Sequence, residues 1–201
     1  MKKRFKLLSA LLLFALGCSA QSGVSSQDKK PTNQATPATT STTSPSSSQG
    51  APMKALRDRL LTSSSKEVGL SGEDAKAKVW GVLMEVAFPN GVATLVSLRD
   101  GTASLYTSTG GGILGGQSAG NEAKRFVAEA EKHLANMKPT KSFPYPEAGR
   151  MKFYVLTQSG VYTADGAEPE VTHQGHALFP LFLAGNEVLT ALRSKSQAPK
   201  P

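Results

Sequence analysis

The chain is expected to carry one α+β domain, an antiparallel sheet of about four to five strands with helices packed on one face, behind a disordered linker. Three observations predict it. Residues 79–88 alternate, with Trp80, Val82, Met84, Val86 and Phe88 against Val79, Gly81, Leu83, Glu85 and Ala87, the period of a strand. Turn signals follow at Pro89-Asn90-Gly91 and Asp100-Gly101, so 92–98 and 103–107 return as neighbouring antiparallel strands. From Ala119 to Met137 the period changes to that of an amphipathic helix, with Ala119, Ala123, Phe126, Val127, Ala130, Leu134 and Met137 on one face.

The remaining elements are weaker in outline. A first helix is expected over 53–61, with Leu56, Leu60 and Leu61 on its inner side, and a second helical turn from Ser71, where Ser-Gly-Glu-Asp resembles a capping box. Pro139 ends the long helix. Phe143-Pro144-Tyr145-Pro146 is extended, because a residue before proline avoids helical geometry. Strands are expected over 151–157 and 161–164 around a Ser159-Gly160 turn, and a last helix over about 181–194. Runs of strands separated from runs of helices give an α+β architecture.

The first eighteen residues have a different character. Lys2, Lys3, Arg4 and Lys6 precede an apolar run, Leu7 to Leu16, broken only by Ser9. A positive segment followed by about ten apolar residues is a secretory signal, too short to cross a bilayer core of about 30 Å as a helix. It ends in Ala15-Leu16-Gly17-Cys18, and Cys18 is the single cysteine of the chain. This resembles the lipobox of bacterial lipoprotein precursors, with Ala15 where that family more often has leucine. The resemblance implies cleavage before Cys18 and a diacylglyceryl group on its sulfur. Further palmitate-type acylation of the new amino terminus would follow, with sorting to the outer membrane where the cell is Gram-negative, because Ser19 follows the cysteine. Two or three acyl chains, at about 0.8 kcal/mol per buried methylene, anchor a protein stably.

Four regions are therefore expected: a signal over 1–17, the lipidated cysteine and a Ser/Thr/Pro linker over 18–52, the domain over 53–194, and a tail over 195–201. The linker holds no aromatic residue and one branched aliphatic, Val24. Such a composition buries too little apolar surface to offset the entropy of ordering it. The net charge of +8 is mostly a precursor property. Residues 54–194 carry fifteen basic and fourteen acidic side chains, so nucleic-acid binding loses its electrostatic support. The partners expected are a membrane, through lipid on Cys18, and an envelope protein.

Four patterns carry possible chemistry. Gly116-Gln117-Ser118-Ala119-Gly120 fits the G-x-S-x-G nucleophile elbow, and Asp165 followed by His173 or His176 continues the serine, acid, histidine order of α/β-hydrolases. Against it, that fold needs a strand leading into the serine beside a parallel sheet, and only Ile113-Leu114 precedes here. The same loop, through Gly110, Gly111, Gly112, Gly115 and Gly116, opens a helix and so could cradle a small anion with backbone N–H groups. As a P-loop it has Gln117 where lysine would meet phosphate. His173 and His176, three apart with Asp165, Glu168 and Glu170 nearby, are a conceivable metal pair, but the glycine between them argues for ordinary loop histidines. No metal or cofactor is expected. Phe143, Tyr145, Phe179 and Phe182, spaced among prolines, either form a docking surface or cover the core.

The order of elements is loosely similar to the roadblock and profilin-like folds. The block from Gly101 to Gly116, through Phe153-Tyr154 to Ala184 and Arg193, resembles a family of bacterial proteins without assigned activity. The reading that follows is a non-enzymatic, lipid-anchored envelope protein whose domain binds a partner or supports an assembly through the glycine loop and the start of the 119–137 helix, with Ser118 hydrolysis and anion binding as alternatives.

Overall fold

A computed structural model describes residues 50–114 and 116–196, all within one compact unit. The expected signal, Cys18, all but the last residues of the linker, Gly115 and most of the tail lie outside the described residues. No helix among those described is long and apolar enough to cross a membrane.

The elements run α1 (Ala51–Thr62), α2 (Gly72–Lys76), β1 (Val79–Phe88), β2 (Gly91–Leu98), β3 (Ala103–Thr107), β4 (Gly112–Ile113), α3 (Gly120–His133), a 3-10 turn (Leu134–Asn136), β5 (Lys138–Thr140), β6 (Arg150–Thr157), β7 (Gly160–Ala167), α4 (Glu168–Val171) and α5 (Phe179–Ser196). The sheet order is β4-β3-β2-β1-β6-β7-β5, and every neighbouring pair is antiparallel. The α+β class and the antiparallel sheet stand as expected. The strand count is seven rather than four or five, because β4 and β5 are edge strands of two and three residues that leave no periodicity to read. Pro139 sits in edge strand β5, where a missing N–H is tolerated.

β1 is the central strand, pairing with β2 on one side and β6 on the other. Its register slips between Val79 and Gly81, opposite Thr157 and Leu156, so Trp80 is the extra residue of a bulge. That lets Trp80 join Leu83, Leu98, Tyr154 and Leu156 in one buried cluster, although strict alternation would send it to the other face.

The expectation of helices on one face holds for the two long ones only. A Cβ at Gly185 of α5 would fall 2.8 Å from the sulfur of Met84 and 3.2 Å from Phe126 of α3, so both helices cover the Met84 side. Glu85, the next residue of β1, necessarily points the opposite way. It meets Arg57 of α1, 2.5 Å from Nε to Oε1. Thus α1, with Leu61 and the partly buried Met53 and Leu60, packs on the second face, and β1 is buried on both sides. The inner side of α1 is also rotated from expectation. Arg57 and Leu61 are buried, whereas Leu56 is 41% exposed.

Candidate functional site

The structure spreads the hydrolase candidates apart. Ser118 lies in the turn before α3, held beside β3 by the Ala103 N–H donating to the Gly116 carbonyl at 2.9 Å. Asp165 is on β7, exposed and ion-paired to Arg150. Between β3 and β7 stand β2, β1 and β6, roughly 19 Å at about 4.8 Å per strand step. His176 lies near the Cβ direction of Gly166, hence on the face opposite Asp165. Its Nδ1 accepts the Leu178 N–H at 3.2 Å. His173 is exposed in the same segment. Ser118, Asp165, His173 and His176 form no nucleophile–base–acid set. Among the described residues no cluster of three or more His, Cys, Asp or Glu could hold a metal.

The glycine-rich loop is mostly a hairpin. Gly110, Gly111 and Gly112 have φ of 104°, 82° and 146°. Gly112 pairs with Tyr106 across β3–β4, and a Cβ there would lie 2.2 Å from the Leu105 carbonyl oxygen. The Gly110 N–H donates to the Thr107 carbonyl, and the Gly111 carbonyl accepts from the Thr107 N–H. The close backbone approach explains the glycine at 112 without a ligand. Gly116, with open space where a Cβ would go, carries no such requirement. The helix that follows starts at Gly120 with Glu122 in its first turn, which opposes an anion there. Leu114, just after β4, is 51% exposed.

The aromatic candidates divide. Phe179 and Phe182 contact each other with centroids 6.3 Å apart. Phe143 meets Tyr154 edge-on at 5.9 Å, and Tyr145 stacks over Arg57 with its centroid 4.1 Å from Cζ. The 143–145 segment therefore closes the α1 face of the sheet.

That contact belongs to a polar cluster that the sequence reading missed. Arg57 and Glu85 are 1% and 0% exposed. Their pairing is bidentate, with Nε to Oε1 at 2.5 Å and Nη2 to Oε2 at 2.8 Å. Nη1 donates to the Phe143 carbonyl at 2.9 Å and to Asp58 Oδ1 at 3.2 Å. Thr94 Oγ1 donates to Glu85 Oε1 at 3.1 Å. Tyr154, whose hydroxyl donates to the Pro144 carbonyl at 2.6 Å, is a second ring near the guanidinium, its centroid 5.5 Å from Cζ. Register explains the convergence: Thr94 is opposite Glu85, and Tyr106 is opposite Thr94, making one cross-strand row. Tyr106 is 2% exposed, and its hydroxyl meets no partner.

Electrostatics keep Arg57 charged and the neighbouring phenols neutral. Burial pulls the Arg57 guanidinium down, but the hydrogen bond and charge of Glu85 outweigh it and hold Arg57 above its ordinary value. Burial and then the charge of Glu85 push the Tyr106 phenol well up, and the same two causes raise Tyr154 to about 12. The phenols are therefore neutral donors at any physiological pH. Each ion would cost several kcal/mol to bury alone, and the paired geometry with its added hydrogen bonds offsets that cost. Chemically the site is a carboxylate with flanking ring faces, built to hold a planar cation. The signals were Glu85 as the one acid in an apolar strand, and Arg57 at the i+4 position from Met53 on the inner stripe of α1.

Comparison of the chain with protein-family models, with curated proteins and with solved structures finds no match.

Proposed function

We propose that the chain is a bacterial envelope lipoprotein, held to a membrane by lipid on Cys18, whose α+β domain is a binding module for a protein partner. The observation that carries this reading is the placement of Cys18. It is the only cysteine, it follows Ala15-Leu16-Gly17 at the end of a basic-then-apolar leader, and a polar segment separates it from the domain. A lipid on that residue accounts for all three features together.

For the contact surface, the reading takes the β4 hairpin and the adjoining start of α3. β4 is the last strand on its side of the sheet, so its outer edge offers backbone groups to an added strand. Leu114 supplies an exposed apolar side chain beside it. In a Gram-negative cell the sorting rule places the protein on the outer membrane.

Two measurements test the two halves separately. Cys18→Ala is expected to abolish incorporation of labelled palmitate and to release the protein from the membrane fraction; retention of both would end the lipoprotein reading. A photocrosslinking residue at Leu114 is expected to capture one specific envelope protein in living cells, with capture lost when Gly112→Ala disrupts the hairpin. Capture of nothing above background would remove the β4 surface as a docking site.

A further inference from the structure

The seat of Arg57 is more elaborate than the helix it holds. α1 has twelve residues, and its N-cap, Gly50, gives no side-chain hydrogen bond. Its first turn holds no acidic residue, and Arg57 and Leu61 are its buried side chains. A helix of this length is marginal alone in water, so its place depends on what it inserts into the sheet face. The principal insertion is a guanidinium. Beneath it, Glu85 presents both carboxylate oxygens in a fork, and Tyr145 and Tyr154 offer ring faces.

The seat also has capacity that Arg57 leaves unused. A guanidinium carries five N–H donors; four bonds of Arg57 go to Glu85, Asp58 and the Phe143 carbonyl, and the Tyr154 hydroxyl interacts with the same guanidinium. The Tyr106 hydroxyl, buried on the strand next but one to Glu85, meets none of them. An unpartnered buried hydroxyl in the same cross-strand row as Glu85 is a cost the fold bears without return from α1.

We propose that Glu85, Tyr106, Tyr145 and Tyr154 form a guanidinium-recognition site that α1 fills in cis through Arg57, and that an arginine side chain on a partner polypeptide can take its place. α1 is then a strap over the site, released when the partner's arginine enters. A guanidinium entering from another direction can direct its fifth N–H to the Tyr106 hydroxyl oxygen, an interaction that favours the exchange. Lysine fits poorly, because an ammonium can neither fork to the Glu85 carboxylate nor stack flat on a ring face. The proposal stands whether or not Cys18 is lipidated, and concerns a face of the sheet rather than its β4 edge, although Tyr106 pairs with Gly112 of β4.

Hydrogen exchange of the purified full chain, followed by mass spectrometry, tests it. The amides of residues 54–62 are expected to exchange through local opening, faster than those of β1 and β6. N-acetyl-arginine amide, at a concentration several times a millimolar dissociation constant, should accelerate exchange in 54–62 by roughly fivefold through mass action. Exchange in β1 and β6 should not change, and N-acetyl-lysine amide at the same concentration should have little effect. Protection of α1 equal to that of β1, no response to the arginine probe, or an equal response to lysine would each overturn the proposal. Glu85→Gln is expected to abolish the response. Should that variant fail to fold, Tyr145→Leu, at a half-buried position outside the strands, is expected to reduce the preference for arginine over lysine, and an unchanged preference would refute the role given to the rings.

Discussion

Replacing Arg57 with methionine leaves Glu85 buried at 0% exposure with Thr94 as its remaining side-chain donor among the described contacts. Removing one partner of a buried ion pair typically costs about 3–5 kcal/mol, because the other charge stays desolvated and uncompensated. Glu85→Leu should cost a similar amount for the converse reason, since a guanidinium cannot neutralise itself by losing its proton. The double variant Arg57→Met/Glu85→Leu removes both charges and fills the space with apolar groups. It leaves the Thr94 hydroxyl and the Phe143 carbonyl without their present partners, at about 1–3 kcal/mol for each group left unsatisfied. The double variant should therefore cost about 2–6 kcal/mol, less than the sum of the two single ones, with a coupling of up to about 3 kcal/mol between the sites. Trp80 is the only tryptophan and is buried in the cluster on this face, so its fluorescence in urea titrations reads the relevant core. In heat, each single variant should melt roughly 6–20 °C lower, at about 2–4 °C per kcal/mol for a domain of this size. Single variants costing under about 1 kcal/mol, the range of exposed pairs, would refute the reasoning. So would a double variant whose loss equals the sum of the two.

Three further outcomes follow from the same geometry. Tyr154 should titrate near 12, seen as tyrosinate absorbance lost in Tyr154→Phe. Because its folded value lies above the ordinary value of about 10, its contribution to stability is complete below pH 10 and falls as pH rises toward 12, by on the order of 2 kcal/mol; titration near pH 10 in the folded protein would contradict its burial. Gly112→Ala places a Cβ against backbone at φ 146° and should unpair β4, costing about 1–3 kcal/mol in urea titrations. Gly116→Ala meets open space and should be within about 0.5 kcal/mol of the parent; equal losses at both would disprove the hairpin account. A fluorophosphonate probe should leave Ser118 unlabelled in the folded protein, as expected of a serine about four strands from Asp165, and labelling lost in Ser118→Ala would reopen the hydrolase reading.

The sheet was legible in the sequence where local chemistry determines it. The 79–88 alternation and the Asn90-Gly91 and Asp100-Gly101 turns are signals over a few residues, and they produce β1, β2 and β3 with bounds close to expectation. The long helix follows from its apolar stripe. β4 and β5 were not legible, because strands of two and three residues owe their existence to a neighbour's edge rather than to their own pattern. Trp80 misleads alternation for a related reason: a bulge is a property of a pair of strands, and no single strand records it.

The candidate site failed to show for a different physical reason. Patterning identifies a buried face by its apolar residues, and the buried face of α1 is carried in part by an arginine, so the pattern points Leu56 inward and is silent on Arg57. Glu85 was read as one member of an alternating strand, without a partner to make its burial possible. Either residue alone argues for exposure, since a lone buried charge is prohibitive. Only their pairing, across 28 positions of sequence, turns two surface-like residues into the most enclosed ion pair among the described residues. The glycine loop erred in the opposite sense. Its G-x-S-x-G and phosphate-loop patterns are visible in five or six residues, yet three of its glycines are required by a hairpin's close backbone approach and positive φ. Short motifs are therefore weak guides in this chain, and the informative feature is a pairing over long range. It follows that a search for function should begin at the α1 face, where the fold has placed charge and aromatic rings together, with an unpartnered buried hydroxyl in the same cross-strand row.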